Sequence, residues 1–86
     1  MKYRVNKGLI TQKLDDKTVI FDGEKSILYT FNETASFIFN KIKLKTDKEK
    51  IIDQMTKKYK IKKEKAEKDL KELIDDMFKK NILSNV

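Results

Sequence analysis

The sequence predicts an α+β fold of the winged helix-turn-helix-like kind, a three-stranded antiparallel sheet followed by three helices in the order βββααα. Three observations carry that expectation. The first half contains two turn signals, Asp15-Asp16-Lys17 and Asp22-Gly23-Glu24-Lys25, set between short runs of β-branched and aromatic residues. The second half contains amphipathic stretches at helical spacing. Between them, the segment SILYTFNETASFIFNKI from Ser26 to Ile42 changes period, alternating up to Phe31 and then setting Ala35, Ile38, Phe39 and Ile42 on one helical face. Three strands bury no core alone, so the helices must cover one face of the sheet.

Taken in order, Met1–Gly8 is polar and reads as a loosely held lead-in. Leu9–Leu14 and Thr18–Phe21 form the first two strands, and Ser26–Phe31 the third. Tight turns at both ends of the second strand put it in the middle and the third at an edge. In that edge strand Ile27, Tyr29 and Phe31 point one way, Leu28 and Thr30 the other. Asn32 is placed to cap the first helix, and Glu33 suits the positive end of its dipole. Thr46 and Glu49 have capping-box spacing for a second helix, which runs to about Tyr59 with Ile51, Ile52, Met55 and Tyr59 inward. Lys60-Ile61-Lys62 interrupts, Ile61 plugging the gap. A third helix from Lys63 to Lys80 carries the stripe Ala66, Leu70, Leu73 and Met77; Asn81 ends it in the left-handed conformation and Ile82 folds back.

Eighty-six residues suffice for one domain, 1–86, near the lower limit for an unstapled core. The chain has neither Cys nor His, which removes disulfides, thiolate metal sites and the commonest general base. No apolar run is long enough to span a membrane, and the N-terminus lacks a signal region, so a cytoplasmic protein is expected. The net charge of +7 is uneven: residues 1–40 hold six Lys or Arg against five Asp or Glu, residues 41–86 fifteen against nine. That excess, almost all Lys, reads either as solubility or as an acidic partner.

Two features bear on function. The edge strand has no charge and no Pro among Ser26, Ile27, Leu28, Tyr29, Thr30 and Phe31, the usual protections of an exposed edge. Either a helix, the N-terminal arm or a second copy covers it, or it accepts a peptide strand. On the third helix, Ile74 and Phe78 lie to one side of the stripe, beside Glu67 and Lys71. That widening is either a broad core contact or the wall of a groove. On the groove reading, peptide side chains would enter pockets between Leu28 and Thr30 and the set Glu67, Lys71, Ile74 and Phe78, and the lysine excess would favour acidic residues in the peptide. Catalysis has no support: the adjacent carboxylates Asp15-Asp16 and Asp75-Asp76 form no nucleophile–base set, and two glycines make no phosphate loop. A small winged-helix DNA-binding regulator is the competing reading, against which the third helix carries Glu64, Glu67, Asp69, Glu72, Asp75 and Asp76 and no Arg.

The run VIFDGEKSILYTFNETASFIFNKI, followed by a capped helix and YKIKKEKAEKDLKELIDDMFKKNIL, resembles the PqqD-like family, the recognition elements (RREs) for precursors of ribosomally synthesised, modified peptides (RiPPs). The family pattern is a strand pair ending in Asp, a y-x-L-N-x-T-A junction, and a last helix ending L-x-x-x-G/N-h-h. Asp22, Tyr29–Ala35 and Phe78–Leu83 correspond, with Phe31 for the usual Leu and Asn81 for the usual Gly. The likeness covers roughly residues 9–83. It implies a winged fold whose edge strand receives the leader peptide as a fourth strand, in a cleft against the third helix. It also implies a partner enzyme: a radical S-adenosylmethionine maturase, a cyclodehydratase or a lasso-peptide protease. Taken with the composition, the expectation is a peptide chaperone without cofactor or metal, monomeric or weakly dimeric, standing alone rather than fused.

Overall fold

The structure is a computed structural model describing residues 3–85; Met1, Lys2 and Val86 lie outside the described residues. Eight elements follow in order: β1 (Tyr3–Val5), β2 (Leu9–Leu14), β3 (Lys17–Asp22), β4 (Ile27–Phe31), α1 (Glu33–Lys43), α2 (Lys48–Tyr59), α3 (Lys63–Lys79) and β5 (Leu83–Asn85). Strands β2, β3 and β4 make the expected antiparallel meander with β3 in the middle. At the first turn Asp15, at φ 56°, takes the left-handed conformation that Asp tolerates, between the paired Leu14 and Lys17. At the second, Asp22 Oδ1 accepts the backbone N–H groups of Glu24 at 3.0 Å and Lys25 at 3.2 Å. Ser26, expected to open the edge strand, instead completes this turn with φ 53°, and pairing starts at Ile27.

One face of the meander meets the helices. Thr18, Ile20, Asp22 and Phe31 are buried there, joining Ile38, Phe39, Ile42, Ile51, Ile52, Met55, Ala66, Leu70, Met77 and Ile82. The other face is bare: Ile10, Phe21 and Leu28 stand opposite one another in register and are exposed, Ile10 by 65% and Leu28 by 61%.

The first cap forms as the sequence predicts, Ala35 donating its N–H to Asn32 Oδ1 at 2.9 Å. The Thr46–Glu49 box does not form. Thr46 N–H is already engaged by Lys41 O at 3.0 Å in the left-handed turn that ends α1, where Lys45 has φ 60°, and Asp47 takes the N-cap of α2 without a side-chain bond. At the end of α3, Asn81 has φ 57° and Ile82 N–H returns to Met77 O at 2.8 Å, burying Ile82 completely.

The larger departure is at the N-terminus. Tyr3–Val5, within the expected lead-in, pairs antiparallel with β5 as a separate two-stranded ribbon. Asn6 ties it down, its N–H bonding Ile82 O at 2.9 Å and its side chain reaching Asn81 O and Ser84. Three-residue strands show no readable alternation, and the partner lies at the far end of the chain, so no local pattern announces this pairing.

Candidate functional site

Strand β4 has a neighbour on one side only, so the backbone groups directed away from β3 have no partner in the sheet. Its first residue follows a tight turn and its last precedes the Asn32 cap, so both ends are fixed. Tyr29, half-buried, lies toward the helices, and Lys80 at the end of α3 sets its ammonium 5.4 Å from the centre of the Tyr29 ring. The same ammonium bonds Asp76 Oδ2 at 2.8 Å, so Lys80 links α3 to the edge strand.

Where the chain leaves β4, an open cleft of about 430 Å³ lies between the start of α1 and the middle of α3. Ala35, Ile38 and Leu73 are its apolar residues, Asn32 and Thr34 its neutral polar ones, and Asp69, Glu72 and Asp76 its charged ones. Asp69 is paired with Lys65 at 3.3 Å and Asp76 with Lys80 at 2.8 Å. Glu72 is exposed and has no ion-pair partner among the described residues. This arrangement can receive an extended chain along β4 and hold a side chain of it against Leu73. Nothing in it activates a nucleophile, and among the described residues no cluster of His, Cys, Asp and Glu could hold a metal ion.

The predicted site residues separate into two groups. Ile27, Tyr29 and Phe31 face the helices, while Leu28 and Thr30 point to the bare outer face. The pockets expected beside Leu28 and Thr30 are therefore on the wrong side of the sheet from α3. On α3 the expected wall is also displaced. Glu67, Lys71, Ile74 and Phe78 form one flank of the helix; Asp69, Leu73, Asp76 and Lys80 form the opposite flank, with Ala66, Leu70 and Met77 buried between them. Ile74 is a core residue, 7% exposed. Phe78 is covered by Tyr3, ring centres 5.3 Å apart and edge to face. Glu67 pairs with Lys63 at 3.9 Å and Lys71 with Asp75 at 3.1 Å, both on the surface. The cleft lies on the other flank.

The residues at the cleft and edge that the sequence does not single out for this site are Leu73, Asp69, Glu72, Asp76 and Lys80 on α3, and Thr34 and Ala35 on α1. A sequence signal for them exists but is ambiguous. Leu73 and Ile74 stand about 50° to either side of the line through Leu70 and Met77, so spacing alone gives each an equal claim to the core.

Among known proteins, the family model described as coenzyme PQQ synthesis protein D (PqqD) matches residues 17–83. No curated protein matches the chain. Two solved structures share the fold. One, described as TbiB1 in complex with the TbiA(beta) leader peptide, superposes with a TM-score of 0.89 at 17% identity, covering 96% of either chain. The other, a lasso peptide synthetase B1 complexed with the leader peptide, superposes with a TM-score of 0.91 at 18% identity, covering 98% of this chain and 99% of that one. The Asp22 turn, the Asn32-capped junction and the Asn81 helix end all lie inside the matched span, and the chain belongs to the PqqD family.

Proposed function

We propose that this protein is a non-catalytic peptide-binding adaptor, which takes up the leader segment of a ribosomally made precursor peptide as an added strand on β4 and presents it to a modifying enzyme. The observation that carries the reading is the juxtaposition of an uncharged, unpaired sheet edge with an open, partly apolar cleft. Two relatives in fold were solved with a leader peptide bound, which supports it. Main-chain pairing along Ile27–Phe31 supplies register, and the cleft at Leu73, Ala35 and Ile38 supplies an anchor point. Burying one large apolar leader residue there contributes roughly 1.5–3 kcal/mol. The modifying enzyme, whether a radical S-adenosylmethionine maturase, a cyclodehydratase or a lasso-peptide protease, contacts the adaptor elsewhere. The adaptor acts as a monomer or weak dimer in the cytoplasm and needs no cofactor.

The test is hydrogen exchange with a leader encoded beside this protein's gene, paired with a titration against random duplex DNA at about 150 mM salt. The expected result is slowed exchange confined to Ile27–Phe31 and no specific DNA binding. Tight DNA binding without protection of β4 would replace the adaptor with a winged-helix regulator.

A further inference from the structure

We infer that Glu72 is a specificity determinant, selecting one Lys or Arg on the bound peptide, placed beside the apolar residue that enters the cleft. The inference rests on the peptide-strand reading of β4. The molecule's net charge of +7 points the opposite way and would favour acidic peptides. Yet the three charged residues lining the cleft are all carboxylates: Asp69, Glu72 and Asp76. Two of them are neutralised by cations on the same helix, Lys65 and Lys80, leaving Glu72 between them without a partner among the described residues. Glu72 is three residues after Asp69 and four before Asp76, so the carboxylates lie along one flank of α3. An acidic side chain entering there meets three like charges, and the Lys65 and Lys80 ammonium groups are already engaged by Asp69 and Asp76. A basic side chain gives Glu72 a partner and sets a cation between the Lys65–Asp69 and Asp76–Lys80 pairs.

Range explains why local and total charge disagree. At physiological salt, exposed charges are screened beyond about 8 Å, so distant lysines affect the approach of a peptide and little of its selection. Selection falls to groups in contact, and at the cleft these are acidic. An extended peptide directs alternate side chains to the same face. The apolar side chain on Leu73 and the basic one at Glu72 are therefore two positions apart in the peptide, which gives the recognised segment a readable signature.

The experiment pans the full chain against a phage-displayed library of random 12-residue peptides, then titrates enriched peptides and maps each on β4 by hydrogen exchange. Enriched peptides should carry Lys or Arg two positions from a large apolar residue, with replacement of that cation by Gln weakening binding about three- to tenfold. Glu72→Gln should erase the charge preference and Glu72→Lys should reverse it to Asp or Glu, with unchanged melting because the side chain is exposed. A preference for acidic residues, no charge preference, or a basic preference that survives in Glu72→Lys overturns the role of Glu72 while leaving the peptide-strand reading intact. Failure to enrich any peptide that protects β4 overturns both.

Discussion

The two flanks of α3 begin from nearly the same chemistry and end in different uses. Each carries an apolar residue at the same angular distance from the core stripe, Leu73 on one side and Ile74 on the other. Each adds charged neighbours, Asp69 and Asp76 with Leu73, Glu67 and Lys71 with Ile74. What separates them is what comes to lie alongside. Beside Ile74 and Phe78 the β1–β5 ribbon supplies Tyr3, and that flank closes. Beside Leu73 the neighbour is the first turn of α1, with Lys80 the link to β4, and a cleft remains. A helix therefore does not carry its own groove. The groove is the flank that the rest of the chain leaves uncovered.

The sharpest way to break this comparison is to truncate the two residues in parallel. Ile74→Ala should remove about 2–5 kcal/mol of stability in urea unfolding, the range for large-to-small changes in a packed interior. Leu73→Ala should melt close to the parent protein and instead weaken leader binding about ten- to a hundredfold in a titration. If the two phenotypes are exchanged, the cleft has been assigned to the wrong flank. A smaller effect sharpens the closed side. A double-mutant cycle of Tyr3→Ala and Phe78→Ala should show a coupling of about 0.5–1.5 kcal/mol in stability, with leader affinity unaffected in either single variant. Absence of coupling would mean that the ribbon does not hold that flank shut.

The smallest effect is on α2, at Tyr59. Burial raises the Tyr59 phenol above its ordinary 10.0, against a smaller lowering from the Thr34 side chain, and its oxygen completes no hydrogen bond among the described residues. The phenol is neutral when protonated, so the folded protein keeps a proton that the unfolded chain releases. Its contribution is complete below about pH 10 and is lost as pH climbs through the unfolded and then the folded value. Tyr59→Phe should leave neutral-pH stability within roughly 1 kcal/mol and flatten the alkaline limb of a stability–pH profile. An unchanged alkaline limb would argue against the buried phenol.

Local physics made most of the fold legible. The Asp-Gly turn, the Asn32 cap and the Asn81 stop each act within a few residues, and each is where the sequence places it. The edge character of β4 followed from two short turns. The cap at Thr46 was misread because its N–H had been claimed by the preceding helix, through Lys41. The geometry of the candidate site was half legible. The unpaired edge at Ile27–Phe31 was legible, since an uncharged edge is a property of one segment. Its partner flank on α3 was not, since choosing between Leu73 and Ile74 requires knowing where Tyr3 goes, and Tyr3 finds its place only by pairing across the whole chain.

That pairing also sets an order of events. Tyr3 meets Asn85, and Val5 meets Leu83, so the ribbon joins the first described residues to the last. Contacts so distant in sequence bear the largest loop-closure cost unless the intervening chain is already compact. The ribbon therefore closes only on a chain whose meander and helices have already drawn its two ends together. Until it closes, the Phe78 flank of α3 lacks its Tyr3 cover and is as open as the Leu73 flank. A folding chain thus passes through a stage with two uncovered grooves, one of them sealed only when Tyr3–Val5 meets Leu83–Asn85.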